Sequence, residues 1–198
     1  MAYLKYARPS YEKKRVELGI SDDGGQLSRY SVGLVFYSHI GEPVKGAEID
    51  DRLLSLIVSE DEQYRAMKKA LSLLAYSDKS RKMLYSRLIG LGYGRASATE
   101  AVNECMRLGY IDEREQMIRF VKREANVSLK GRSIIIKKGI AKGFKSADIA
   151  SVIEELCDDG EIDFKENLRR LAEKKGILGE EEISALAYKN GYTGRGFD

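Results

Sequence analysis

The chain repeats itself with a period of 51 residues, and this period limits what it can fold into. Shifted by that period without a gap, residues 77–112 lie on 128–163 and share many identities. The matches are Ser77/Ser128, Lys79/Lys130, Arg81/Arg132, Ile89/Ile140, Gly92/Gly143, Ala96/Ala147, Glu104/Glu155, Gly109/Gly160 and Ile111-Asp112/Ile162-Asp163. A tandem repeat of this length is typical of helical units that pack on their neighbours.

Apolar residues spaced three and four apart predict three helices in each repeat. In the first repeat, the predicted buried faces carry Met67, Ala70, Leu71 and Leu74, then Leu84, Leu88 and Leu91, then Ala98, Ala101, Val102, Cys105 and Leu108. The second helix should run from about Lys79 to Leu91, and the third should begin at Ser97 in a capping box with Glu100. Gly92, Gly109, Gly143 and Gly160 should end helices.

The second repeat has the same pattern. Met117, Phe120 and Val121 start its first helix, "SIIIKKGIAKGF" forms its second, and Ile149, Val152, Ile153 and Leu156 line its third. A third unit begins near Phe164 and includes Gly191-Tyr192, but it is truncated at Phe197-Asp198.

The N-terminal part differs from the repeats. Residues 29–44, "RYSVGLVFYSHIGEPV", predict strand and turn, and "RVELGISDDGGQ" supplies a partner strand with a turn at residues 22–25. The predicted organisation is a flexible segment 1–14, a β-hairpin element with a short helix at 15–60, repeats at 61–111 and 112–162, and a truncated repeat at 163–198. The fold class is mainly α: an elongated array of three-helix repeats after a small β element.

No motif in the sequence favours an enzyme. His39 has no metal-ligand cluster near it, and "GLGYGRAS" lacks the Lys-Ser/Thr ending of a P-loop. Asp158-Asp159 is interpreted as solvated surface, and Cys105 and Cys157 as core thiols of a reducing cytoplasm and not a disulfide. The sequence contains no membrane-spanning run or signal peptide. We therefore expect a cytoplasmic monomer without metal or cofactor.

Charge is unevenly distributed along the chain. Residues 63–142 carry 18 Lys and Arg against 7 Asp and Glu, whereas both flanking segments are acidic, although the whole chain has a net charge of only +3. Such a basic segment favours an anionic partner, which could be nucleic acid or an acidic protein groove. The alternative is an ordinary set of solvated helix faces.

Cations stand at the start of the second helix in both repeats. Lys79 with Arg81, and Lys130 with Arg132, oppose the helix dipole there, at a cost of about 0.3–1 kcal/mol each. Their recurrence suggests an anion bound at these helix starts. The other interpretation is that these side chains are solvated or pair with neighbouring acids.

The repeats resemble the RecX regulatory proteins. The resemblance rests on "SRKMLYSRLIGLGY…EAVNECMRLGYIDE" and "GRSIIIKKGIAKGF…IASVIEELCDDGEID", which match a Leu-x-x-Lys-Gly-Phe-like segment followed by Gly-x-Ile/Leu-Asp-Asp. Residues 45–84 are similar to the family's lead-in, and the resemblance extends from about Arg29 to the C-terminus. At the position of the family's second acid the first unit has Glu113 and the second has Phe164, and Met117 replaces the alanine commonly found soon after.

This resemblance implies a function in DNA recombination, repair and the SOS response. RecX proteins bind the RecA filament on DNA and inhibit its ATPase, strand-exchange and co-protease activities, without a catalytic site. The implied partners are the RecA filament and its DNA. The candidate contact residues are Lys79, Arg81, Lys82, Arg87, Arg119, Lys122, Arg123, Lys130, Arg132, Lys137 and Lys138. The alternative is a free-standing nucleic-acid-binding repeat protein.

Overall fold

A computed structural model describes residues 2–192 as a small β-sheet followed by helices. The strands are β1 (Ala2–Ser10), β2 (Arg15–Ser21), β3 (Leu27–Gly33) and β4 (Glu48–Ile49). The helices are α1 (Leu34–His39), α2 (Asp51–Tyr76), α3 (Arg81–Gly90), α4 (Arg95–Arg107), α5 (Glu113–Lys122), α6 (Arg132–Ala141), α7 (Ser146–Asp158), α8 (Phe164–Lys175) and α9 (Glu180–Asn190). A π-helical turn, Arg123–Val127, continues α5. The predicted class, mainly α with an N-terminal β element, is confirmed.

The helices α3 and α4 of the first repeat have counterparts exactly one period later. The start and end of α3 and α4 coincide with those of α6 and α7, and α8 starts one period after α5. Gly92, Gly109, Gly143 and Gly160 follow helix ends with φ of 90°, 74°, 94° and 71°. Glycine adopts this left-handed conformation at no steric cost, so the predicted helix ends are confirmed.

The N-terminal sheet is antiparallel, in the order β3-β2-β1-β4. The predicted hairpin is present as β2 and β3, whose turn is closed by Asp22 and Gln26. The flexible segment expected at 1–14 is instead largely strand β1, with Ala2 and Leu4 buried. It pairs with β2 across the short turn 11–14, and that turn contains none of the Gly, Asn or Asp residues that signal a hairpin in a sequence.

Two further sequence interpretations need correction. The predicted strand-and-turn region 29–44 becomes helical at Leu34, because Leu34, Tyr37 and Ile40 recur at helical spacing and pack on the sheet core. His39 therefore lies exposed in the last turn of α1. The short helix expected before residue 61 is the first part of the 26-residue α2, which contains no Gly or Pro to end it.

The first compact unit comprises residues 2–77 and 84–108 of the described chain. Here α2 packs on both the sheet and α4. The Arg15 guanidinium lies 3.6 Å from the centre of the Tyr64 ring and donates to the Ser31 hydroxyl. Asp61, which is buried, accepts from the Ser31 N–H at 2.8 Å. These polar contacts attach the sheet to α2.

Two details of α3 and α4 differ from the predictions. Because α3 ends at Gly90, Leu91 is 43% exposed, whereas Leu84 and Leu88 are buried as predicted. α4 begins at Arg95, two residues before the predicted cap. The Ser97 hydroxyl donates to Glu62 of α2, so it does not form the expected capping box.

The second compact unit comprises residues 78–83 and 109–192. The helices α5, α6 and α7 form one apolar cluster, and α8, α9 and Leu129 form a second. The first cluster contains Met117, Phe120, Val121, Ala125, Ile135, Phe144, Ile149, Val152, Ile153, Leu156 and Ile162. The last residues predicted for the truncated third repeat, Phe197-Asp198, lie outside the described residues.

Several remaining features can be placed directly. Cys105 is buried, Cys157 is partly buried, and both are free thiols, as predicted. Asp158 and Asp159 are exposed at the end of α7. Within residues 2–192, no helix has the length and apolar character needed to cross a membrane.

We expect Leu88→Ala and Ile153→Ala each to lower the free energy of unfolding by about 2–5 kcal/mol, because each removes a fully buried side chain and leaves a cavity. Urea unfolding followed by circular dichroism measures the loss. Leu91→Ala is the control, since that side chain is half exposed and should cost far less. Equal losses for Leu88→Ala and Leu91→Ala would contradict the packing described for α3.

Candidate functional site

The end of α6 packs against the start of α3 within the second unit. The Ser80 hydroxyl donates to the Lys142 carbonyl at 2.6 Å and accepts from the Met83 N–H at 3.3 Å. A Cβ on Gly143 would lie 2.9 Å from Ser80 Oγ and 3.0 Å from Lys82 Cβ. Only glycine allows this approach. We call the contact between Ser80–Lys82 and Lys142–Lys145 the Phe144 junction.

Two clefts lined by cations flank Phe144. One, of about 300 Å³, is lined by Asp78, Ser80, Met83, Gln116, Arg119, Phe120, Arg123, Lys142 and Phe144. The other, of about 380 Å³, is lined by Arg81, Lys82, Glu113, Met117, Gly143, Phe144, Lys145 and Asp148. Each cleft has more cations than acids. The junction therefore brings four predicted contact residues together: Arg81, Lys82, Arg119 and Arg123.

The first cleft combines charge with aromatic rings. The Phe120 and Phe144 ring centres are 6.2 Å apart, and the Lys142 ammonium lies 5.7 Å from the Phe120 ring centre. Arg119 is already paired, with its Nη2 atom 2.8 Å from Asp78 Oδ2. An anion entering this cleft would compete with Asp78 for Arg119 and would find Lys142 beside a ring.

Backbone donors at the two helix starts already have protein partners. At the start of α3, the Arg81 N–H donates to Glu113 Oε1 at 2.8 Å. At the start of α6, the Gly131 and Ser133 N–H groups donate to the carbonyls of Asn190 and Gly191, at 2.8 Å and 3.1 Å. These three N–H groups are thus engaged, so an anion could use them only by displacing a protein acceptor.

Phe164 stands where the resemblance to RecX proteins predicts an acid, and the contacts at the start of α6 account for this difference. This residue stands one period after Glu113, the acid that caps the start of α3. Because the carbonyls of Asn190 and Gly191 cap the start of α6, no carboxylate is needed at position 164. Phe164 instead packs edge-on against the Tyr192 ring, with the ring centres 6.1 Å apart.

Most of the predicted contact residues in the second repeat are paired inside the protein. Arg119 contacts Asp78, Lys122 contacts Glu161, Arg123 and Lys138 share Glu124, Lys130 contacts the Asn190 amide, and Arg132 contacts Glu154. Lys79 also has a partner. The side chains of Arg81, Lys82, Arg87 and Lys137 are exposed and form no ion pair with any residue in 2–192.

Glu124 is the one buried carboxylate among these pairs in the described range, at 5% exposure. Its Oε2 atom lies 2.6 Å from Lys138 Nζ and its Oε1 atom 3.3 Å from Arg123 Nη2. Burial raises the pKa of the Glu124 carboxyl, but the contacts with Lys138 and Arg123 outweigh burial and leave that pKa below its usual value. The π-helical turn places Glu124 toward α6.

Sequence reasoning missed two cations of the junction, Lys142 and Lys145. They follow the end of α6, and their counterparts one period earlier are Leu91 and Gly94, so the repeat gave no signal for them. The charge of Lys142 was visible only as part of the basic segment, and Lys145 lies just beyond that segment.

Known proteins resemble this chain in sequence and in fold. No family model matches the chain. The chain is 27% identical over 163 residues to the regulatory protein RecX of Bacillus cytotoxicus, and 28% identical to that of Bacillus mycoides over the same length. Each alignment covers 82% of this chain and 59% of the relative, so the chain spans less than two thirds of these curated relatives.

Solved structures share the fold. A crystal structure of regulatory protein RecX superposes with a TM-score of 0.71 at 18% identity, covering 98% of this chain and 95% of that one. RecX from Lactobacillus salivarius gives a TM-score of 0.58 at 19% identity, over 67% of this chain and 90% of that one.

We expect Gly143→Ala to destabilise the protein more than Gly160→Ala. Both glycines have positive φ, which costs an L-residue about 1–2 kcal/mol, but only a Cβ at Gly143 meets neighbouring atoms. The difference in the free energy of unfolding, measured with urea, reports the close approach at the Phe144 junction. Equal losses would show that the junction tolerates the extra methyl group.

We expect Glu124→Gln to destabilise the protein at neutral pH and to matter less in acid. Because the folded pKa of Glu124 is depressed, its contribution is complete above the unfolded value of about 4.3 and is lost as pH falls through the folded value. Free energies of unfolding between pH 7 and pH 3 measure this. Glu161→Gln, which removes an exposed partner of Lys122, is the control and should have a small effect. If the difference in unfolding free energy between the wild type and Glu124→Gln did not change with pH, the depressed pKa of Glu124 would be contradicted.

Proposed function

Since the resemblance to the RecX regulatory proteins is confirmed in sequence and in fold, we propose that this chain is a regulator of RecA filaments. It binds the RecA–DNA filament and lowers its ATPase, strand-exchange and co-protease activities. It does so by binding alone, as a cytoplasmic monomer without cofactor. The cation-lined helices provide its contacts with the DNA phosphates enclosed by the filament.

The observation that carries this proposal is the agreement of two comparisons. Relatives named regulatory protein RecX align over 82% of the chain, and a RecX structure superposes over 98% of it. The two Bacillus relatives are both named regulatory protein RecX, which supports a non-enzymatic role. Because the chain spans 59% of those relatives, the activity of the whole relative is proposed for this chain as an inference.

The charge distribution supports an anionic partner. Residues 63–142 hold 18 of the 34 Lys and Arg residues but only 7 of the 31 Asp and Glu residues. Binding that neutralises phosphates releases condensed counterions, and this release supplies much of the affinity of proteins for nucleic acid. The exposed cations without ion pairs, among them Arg81 and Lys82, are the groups best able to make such contacts.

A second candidate is a free-standing nucleic-acid-binding protein. The same exposed cations favour it, because phosphate contacts do not require RecA. In that case any effect on RecA would come from competition for DNA.

A titration of RecA ATPase activity on single-stranded DNA tests the proposal. We expect the 198-residue chain to inhibit ATP hydrolysis at protein concentrations well below the DNA-site concentration. Binding to preformed filaments should be at least tenfold tighter than binding to the same bare oligonucleotide at equal salt. No inhibition at saturating protein would refute the regulatory proposal. Equal affinity for filament and bare oligonucleotide, with inhibition relieved by excess DNA, would favour the second candidate.

A further inference from the structure

The two repeats carry the same cations but not the same acids. Arg81 and Arg87 of α3 stand one period before Arg132 and Lys138 of α6. In the second repeat, Arg132 Nη2 lies 2.6 Å from Glu154 Oε1, and Lys138 Nζ lies 2.6 Å from Glu124 Oε2.

The residues that would supply these acids in the first repeat are not acidic. Asn103 stands where the second repeat has Glu154, and Leu73 stands where it has Glu124. Consistent with this, Arg81 and Arg87 are exposed and form no ion pair with another residue of the described chain. The two repeats can therefore be compared position by position. Both carry the cation, but only the second repeat carries an acid that pairs with it.

This difference has an energetic consequence for binding. A phosphate that approaches Arg132 or Lys138 must first displace a carboxylate, and the pair with buried Glu124 is the more costly to break. The guanidinium groups of Arg81 and Arg87 form no ion pair within the described chain, and Glu113, which lines the cleft beside Arg81, bonds its backbone N–H instead. A solvated guanidinium loses little on meeting phosphate, and its planar donors fit two phosphate oxygens at once. Arginine stands at both first-repeat positions, whereas the second repeat has one lysine.

We propose, building on the proposed function, that Arg81 and Arg87 of the first repeat contact nucleic-acid phosphates, whereas Arg132 and Lys138 at the matched positions stabilise the fold. The contact does not depend on a helix terminus, since the Arg81 N–H is already bonded to Glu113. It depends on side-chain charge that the protein itself does not neutralise.

Matched double variants test this inference. The variants are Arg81→Ala/Arg87→Ala and Arg132→Ala/Lys138→Ala, and the probes are a dT oligonucleotide, alone and within a RecA filament. For the first variant, we expect weaker binding to both probes and an unchanged melting temperature. Loss of two phosphate contacts should reduce the slope of log K against log salt by about 1.4 on the bare single strand.

The second variant should behave in the opposite way. Its melting temperature should fall because two ion pairs are lost and Glu124 is left buried without Lys138, while its salt slope stays that of the wild type. If this double variant fails to fold, Arg132→Ala alone is compared with Arg81→Ala/Arg87→Ala. The Arg132–Glu154 pair lies at the surface, so its loss should leave the protein folded. Arg81→Lys/Arg87→Lys keeps both charges and should restore the wild-type slope.

Any other result contradicts the inference, and each of these results has a different meaning. Equal slope losses in the two matched variants would show that the repeats bind alike. An unchanged slope in Arg81→Ala/Arg87→Ala would exclude these residues as phosphate contacts, even where the wild type still inhibits RecA. Weakened filament binding with unchanged binding to the bare oligonucleotide would identify an acidic protein surface as their partner. Failure of the wild type to inhibit RecA would refute the proposed function, while the oligonucleotide measurements would still decide the roles of the two pairs.

Discussion

The second unit depends on the close approach between Gly143 and the start of α3. A Cβ at position 143 would lie within 3.0 Å of Ser80 and Lys82, and the positive φ there also favours glycine in the turn that follows α6. That approach lets the Lys142 carbonyl accept from Ser80 and places Phe144 between two clefts. The conformational freedom of one residue therefore sets both the packing and the shape of the cation-lined surface.

A related contact recurs at the start of α6. A Cβ on Gly131 would overlap the backbone of Gly191, whose carbonyl accepts from the Ser133 N–H. The start of α6 thus donates to the turn that ends α9, whereas the start of α3 donates to Glu113. Unpaired N–H groups at a helix start attract anions, and supplying protein acceptors there removes that attraction. At these two helix starts, an anion could displace protein acceptors or meet side chains instead.

Side-chain charge is distributed unequally between the repeats. The second repeat uses Glu124 and Glu154 to neutralise its own cations, which stabilises the unit and makes those cations costly to recruit. The first repeat lacks both acids and leaves Arg81 and Arg87 exposed. A duplicated helical unit can in this way divide two requirements, a stable fold and an open binding surface, between its copies.

The sequence by itself determined the period, the helix order and the four glycine helix ends, because periodicity and left-handed glycine are local properties. It also located the basic segment. It did not reveal β1, because the turn 11–14 that joins it to β2 lacks the usual turn residues, and it did not reveal the true start of α4. Nor did it distinguish Arg81 from Arg132, which look equivalent in the repeat. Only the tertiary structure decided that difference, because a cation's availability depends on which acid reaches it from another helix, and Glu154 reaches Arg132 across 22 positions of sequence.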